Sequence, residues 1–140
     1  KRKGAENIMT GRSDDGMDEF STSSTNRVCI LRDDKVLMNA IDPEVVGLHK
    51  SSLRDIQIKT KQDAIESFVG VLNNTANQAM IETTALNAAG GLIVANIADN
   101  FEQGVEIALK TIKDGKAMSL LEKFVSETGD ITKLKEITNG

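Results

Sequence analysis

The sequence predicts an α/β fold in which short strands and a β-hairpin come first and five or six helices follow, the strands belonging to a sheet larger than the chain itself. Three observations carry this expectation. Two apolar runs flank a short polar turn between residues 28 and 41. From about residue 60 the apolar residues recur at helical spacing. A two-stranded hairpin is at best marginally stable alone, so its partners are expected in a sheet to which this chain contributes only a part.

Each element has a local reason. Ile8-Met9-Thr10 reads as the end of a strand, and Gly11 to Thr25 as a loop rich in Gly, Ser, Thr and Asp. Val28-Cys29-Ile30-Leu31 and Val36 to Ile41 form the hairpin around Arg32-Asp33-Asp34-Lys35. Asp42-Pro43-Glu44 sets a capping carboxylate before a proline, with Gly47 closing the turn. Ser52 and Asp55 form a capping pair for a short helix near Leu53 to Ile56. Ala64, Ile65, Phe68, Val69 and Leu72 share one helical face, which Asn73-Asn74 ends. A longer helix is expected from Thr75 through Val94. Its glycines at 90 and 91 each cost roughly 1 kcal/mol in helix propensity, so a packing or bending reason is expected there. Asp99 with Glu102 reads as the next capping box, with Val105, Ala108, Leu109 and Ile112 on one face and Gly115 as the stop. Leu120, Leu121 and Phe124 mark a further helix, and Asp130 caps the last, which carries Ile131, Leu134 and Ile137.

Length and charge bound the function. At 140 residues the chain is one domain's worth of sequence. A 39% apolar, 27% charged composition with both signs mixed is that of a folded protein and not of a disordered one. The net charge of −4 argues against a general nucleic-acid binder, although Lys1-Arg2-Lys3 and Lys133 to Lys135 are locally basic. Cys29 is the only cysteine, which excludes an intrachain disulfide; between Val28 and Ile30 it reads as a buried strand residue. No run approaches 18 apolar residues and no leader pattern opens the chain, so the expectation is a cytoplasmic protein without a membrane segment. The chain starts at Lys1 and opens mid-pattern, which reads as a fragment.

Only Asp14-Asp15-Gly16-Met17-Asp18-Glu19 is equipped for chemistry. Hard cations such as Mg²⁺ take carboxylate oxygens and complete their shell with water and substrate phosphates. Adjacent Asp18 and Glu19 can share such an ion only off a regular strand, where neighbours point to opposite faces. The competing reading is a solvated acidic turn in which Asp14 or Asp15 accepts from the backbone. EF-hand spacing is absent. Ser21 to Thr25 can likewise be a phosphate site or a plain hydrophilic loop. His49, the only histidine, has no catalytic partner near it in sequence and reads as a surface residue.

Two stretches add a resemblance. Asp15-Gly16-Met17-Asp18-Glu19-Phe20-Ser21 is followed by Thr25 and the Val28 strand. Downstream stand Leu86-Asn87-Ala88-Ala89, then Ala98-Asp99, Glu102-Gln103-Gly104-Val105-Glu106, and Ile112 through Gly115-Lys116-Ala117. In order and separation these resemble the C-terminal part of anthranilate phosphoribosyltransferase, and Gly129 to Lys135 resembles the ending of archaeal members. Met17 stands where leucine is commoner, Ser23-Ser24-Thr25 where many members carry a glycine, and Asn96 where a glycine usually ends the long helix.

The resemblance implies that residues 1–140 are the C-terminal segment of a large α/β domain. It further implies transfer of phosphoribosyl from phosphoribosyl pyrophosphate to anthranilate, with release of pyrophosphate, in tryptophan biosynthesis. By the same resemblance Asp18 and Glu19 match the acidic pair that holds Mg²⁺. The phosphate loop, the anthranilate-binding arginine and the homodimer helices would lie in an absent N-terminal part, so this segment alone is expected to be inactive. A nucleoside phosphorylase relative, and a non-catalytic interaction or nucleic-acid-binding relative of the same fold, remain as alternatives.

Overall fold

The computed structural model describes residues 7–32 and 35–138. The basic Lys1-Arg2-Lys3 and the Asp33-Asp34 turn lie outside them.

Three antiparallel strands form one sheet in the order β1-β2-β3: β1 (Ile8–Ser13), β2 (Asn26–Arg32) and β3 (Lys35–Ile41). The hairpin β2–β3 forms as expected, with Cys29 opposite Met38 and Ile30 opposite Leu37. A correction concerns its partner. The strand opening at Ile8 runs through Ser13 and pairs along most of β2, Gly11 opposite Val28 and Ser13 opposite Asn26. The hairpin therefore finds a third strand inside the chain. The loop is shorter than expected because Gly11, Arg12 and Ser13, poor strand formers by composition, are recruited by ladder hydrogen bonds that no local pattern announces.

A 3₁₀ turn at Pro43–Val46 follows, capped by Asp42 and closed by Gly47 at φ 82°. A second, Leu53–Ile56, carries the expected Ser52–Asp55 capping box. Five α-helices complete the described chain: α1 (Lys61–Leu72), α2 (Gln78–Val94), α3 (Phe101–Lys113), α4 (Lys116–Thr128) and α5 (Ile131–Thr138). Two starts move. Helix α2 begins at Gln78, where the Asn77 side chain accepts from Met80 N–H, and not at Thr75. Helix α3 is capped by Asn100, which accepts from Gln103 N–H, while Asp99 donates its own N–H to the Gln103 side chain. Asn96 does end the long-helix region in the left-handed conformation, at φ 56°.

The main core lies between one sheet face and the α2–α3 pair. Met9, Val28, Ile30 and Ile41 from the strands meet Leu86, Ala89 and Ile93 of α2 and Phe101 and Val105 of α3. Gly104 explains how closely the helices approach: a Cβ there would lie 2.7 Å from Ala89 Cβ. A smaller cluster of Val69, Met118 and Leu134 ties α1, α4 and α5 together. The far face of the sheet is open, with Met38 81% and Val36 63% exposed. Cys29, opposite Met38, is half-buried and reduced, so the expectation of a buried strand cysteine holds only in part.

Candidate metal site

The acidic segment leaves the sheet at Ser13 and returns at Asn26. Its first half is a tight turn built by its own carboxylates. Gly16 takes φ 99°, a conformation with no penalty for glycine, and Ser13 N–H closes on Met17 C=O at 3.0 Å. Asp15 accepts Met17 N–H at 3.0 Å and the Ser23 hydroxyl. Burial works to raise its pKa, yet these hydrogen bonds together outweigh burial and hold the carboxyl below its ordinary value. Asp14 is gripped bidentately by Arg27 (Nε–Oδ1 2.8 Å, Nη2–Oδ2 3.0 Å), and that hydrogen-bonded pair lowers its pKa. The solvated-turn reading thus describes Asp14 and Asp15.

Asp18 and Glu19 are different. Both lie in a bend outside any strand, and among the described residues none hydrogen-bonds or ion-pairs with either carboxylate. Both line an open cleft of about 510 Å³ with Ile8, Met9, Gly11, Asn87, Gly90 and Gly91 among its walls. Among the described residues, no Lys or Arg lines it.

The bend is held by two buried or half-buried asparagines. Asn87 of α2 accepts Phe20 N–H at 3.0 Å and donates to Phe20 C=O at 2.7 Å, copying a β-bridge with a side chain. Asn26, fully buried, accepts Ser21 N–H at 2.7 Å and donates to Ser21 C=O at 2.9 Å. The Phe20 ring packs edge-on against Phe101 at 5.4 Å. It enters a slot where a Cβ on Gly11 would overlap it, and where a Cβ on Gly90 would come to 3.1 Å. This is the packing reason for a glycine at 90; Gly91 has open space in its place.

In the Ser21 to Thr25 run, the first two hydroxyls are turned to the protein interior. Ser21 and Thr22 are fully buried, and Thr22 Oγ1 lies 2.7 Å from both the Ser51 and Thr83 hydroxyls. His49 is an exposed ring, as expected, but it has a partner 33 residues away: buried Glu82 accepts its backbone N–H at 2.7 Å and lies 2.8 Å from Nδ1. A glutamate within the apolar run of α2 was the only signal for this contact.

Chemically, two carboxylates at a cleft with no partner among the described residues suit a hard divalent cation that brings its own waters and phosphates. They do not suit a caged ion, and the described residues contain no cluster of three or more His, Cys, Asp or Glu able to hold one. None of the described helices is long and apolar enough to cross a membrane.

The class of protein is thus an α/β scaffold in which a helix-backed antiparallel sheet carries an acidic bend over a cleft. Residues 3–118 match the family model described as glycosyl transferase family, a/b domain, and the chain belongs to that family. It is 87% identical over its whole length to the anthranilate phosphoribosyltransferase of Nitrosopumilus maritimus (strain SCM1), covering 40% of that relative. It is 45% identical over 96% of its length to that of Cenarchaeum symbiosum (strain A), covering 39%. The chain therefore spans about two fifths of the curated relatives it matches. Among solved structures, the anthranilate phosphoribosyltransferase of Thermus thermophilus shares the fold with a TM-score of 0.77 at 23% identity, over 86% of this chain and 35% of that one. The Saccharomyces cerevisiae enzyme, solved with PRPP and Mg, aligns at a TM-score of 0.70 and 21% identity, over 86% and 33%.

Proposed function

We propose that this chain is the C-terminal segment of an anthranilate phosphoribosyltransferase, in which Asp18 and Glu19 hold Mg²⁺ against phosphoribosyl pyrophosphate. The observation that carries the reading is the division of labour in the acidic segment. Asp14 and Asp15 are consumed by Arg27, Ser23 and Met17, whereas Asp18 and Glu19 line the cleft with no partner among the described residues. The 87% identity to an enzyme of that activity supports the substrate pair.

In the reaction, the bond from the ribose anomeric carbon to pyrophosphate breaks and a bond to the anthranilate amino nitrogen forms, the amine losing a proton. Negative charge collects on the leaving group. When bound, Mg²⁺ supplies the positive charge that neutralises it and orients the leaving group. The chain's own part is positional. Two carboxylates cannot face pyrophosphate directly without repulsion, and the described cleft lining offers no Lys or Arg to offset them. Asp18 and Glu19 act by holding the cation, and Asn87 and Asn26 keep the bend in place around them. No protein nucleophile is needed. The same reading extends to a cytoplasmic homodimer formed through segments outside this chain.

The test is Asp18→Asn and Glu19→Gln in the complete enzyme carrying this chain. Neither carboxylate has a partner among the described residues, so the fold should be unaffected. Preorganised charge of this kind is worth roughly 3–4 kcal/mol, so kcat should fall about 100- to 1000-fold and the Mg²⁺ needed for half activity should rise. Asp14→Asn, outside the pair, is the control. Unchanged rates and unchanged Mg²⁺ dependence in both variants would return the segment to a solvated turn.

A further inference from the structure

Asp18 and Glu19 have no hydrogen bonds of their own among the described residues, so something else must decide where their carboxylates sit. On the N-terminal side the turn closure between Ser13 and Met17 fixes the chain up to Met17. On the C-terminal side the first fixed point is Phe20, held by Asn87 through both its N–H and its C=O. The same Asn87 amide also donates to Thr83 C=O at 2.9 Å, one turn back along α2, which orients it before it meets the loop. Helix α2 is pressed onto α3 through the Ala89–Gly104 contact, so the amide is carried on a rigid element.

We infer that Asn87 is a positioning residue for the acidic pair: its carboxamide pins Phe20, one residue beyond Glu19, and thereby sets the placement of both carboxylates at the cleft. This rests on the metal-binding reading of Asp18 and Glu19. The chemistry restricts the residue type. One group must donate and accept in the same plane at fixed reach, which a short carboxamide does. Aspartate would turn an acceptor toward the Phe20 and Thr83 carbonyls, leucine would offer neither function, and glutamine would reach one methylene too far. Asn87 lines the cleft, yet its N–H groups are directed to Phe20 and Thr83, so it serves the bend and not a ligand. The glycine slot acts on the same residue from the other end. Gly11 and Gly90 admit the Phe20 ring and fix its side chain as Asn87 fixes its backbone.

The experiment uses the complete enzyme carrying this chain, with Asn87→Ala, Asn87→Asp, Gly90→Ala and Asp18→Asn. Three quantities are read: Mn²⁺ affinity in the presence of pyrophosphate by electron paramagnetic resonance, the Mg²⁺ activation curve, and the thermal midpoint. Residues that orient metal ligands typically change metal affinity by about 10- to 100-fold. Both Asn87 variants should weaken Mn²⁺ binding by that factor and move the Mg²⁺ curve alike, while the KM for anthranilate stays constant and excess Mg²⁺ restores much of kcat. Gly90→Ala leaves the amide untouched and improves helix propensity, and its methyl would meet only side-chain atoms, Met9 Sδ and Phe20 Cε2 at 3.1 Å each, which a shift of a few tenths of an ångström relieves. It crowds the Phe20 ring and should weaken Mn²⁺ binding in the same direction. If an Asn87 variant fails to fold, Gly90→Ala decides. A lowered thermal midpoint with unchanged Mn²⁺ affinity in the Asn87 and Gly90 variants, beside a clear loss in Asp18→Asn, overturns the positioning role and leaves the metal pair standing. Unchanged Mn²⁺ affinity in Asp18→Asn overturns the metal-binding reading, and the positioning role with it.

Discussion

Gly104→Ala tests whether α3 backs α2 as tightly as the structure has it. On an exposed helix face the change would stabilise the chain by roughly 1 kcal/mol, because alanine is the better helix former. Here the new methyl would lie 2.7 Å from Ala89 Cβ, 2.9 Å from its Cα and 3.2 Å from its carbonyl oxygen. Carbon atoms prefer roughly 3.5–4.0 Å, and two of these three neighbours are backbone, which cannot rotate away. The helices must therefore part by nearly 1 Å, a gap that forfeits roughly a quarter to a half of the contact energy along the seam. The residues that lose it are buried Leu86, Phe101 and Val105. An overpacking cost of about 3 kcal/mol less the propensity gain of about 1 leaves a net loss near 2 kcal/mol. Urea unfolding followed by far-UV circular dichroism reads this as a lower midpoint at constant slope. Ala89→Gly removes the nearest atom, so the double variant should be less damaged than the two single losses summed, by at least about 0.5 kcal/mol. A Gly104→Ala chain more stable than its parent, or strictly additive energies in the cycle, would refute the close approach.

Two further outcomes are expected. Asp15 has a carboxyl pKa depressed in the fold, so its contribution to stability is fully present above its unfolded value of about 3.9 and is lost as pH falls through the lower folded value. Denaturant midpoints measured down to about pH 3 should show that acid limb in the parent and flatten it in Asp15→Asn; the same limb in both would count against it. The Asp14–Arg27 pair at the surface should add little, and salt should erase what it adds. Leu86→Ala, at a side chain with 0% exposure in the centre of the main core, should cost about 2–5 kcal/mol by the same unfolding assay, and a loss below about 1 would contradict its placement.

The hairpin, both 3₁₀ turns and the helices were readable because their signals are local: Asp42-Pro43, the Ser52–Asp55 box, the αL residues Gly47, Asn96 and Gly115, and apolar spacing along α1 and α3. Where two neighbouring residues can do the same job, locality was not enough. Asp99 and Asn100 are both good caps, and the choice of Asn100 depends on which one the incoming loop leaves extended, with φ −150°. Thr75 likewise lost to Asn77. The third strand was hidden for a stronger reason. Gly11, Arg12 and Ser13 have no strand pattern, and their pairing with Val28, Arg27 and Asn26 is made across a loop.

The site divides along the same line. The sequence alone determined that carboxylates cluster at residues 14–19 and that no cysteine, histidine or glycine loop offers rival chemistry. It also determined the family resemblance, since residue order and spacing are one-dimensional properties. Only tertiary structure decided which acids find partners among the described residues. Asp15 is claimed by Ser23 and Asp14 by Arg27, the latter 13 positions away, and only folding brings those partners near. The same holds for Asn87, 67 residues from Phe20, and for Glu82 beneath His49. Hydrogen bonding and close packing act over a few ångströms of space, and sequence separation carries no information about that distance until the chain has folded.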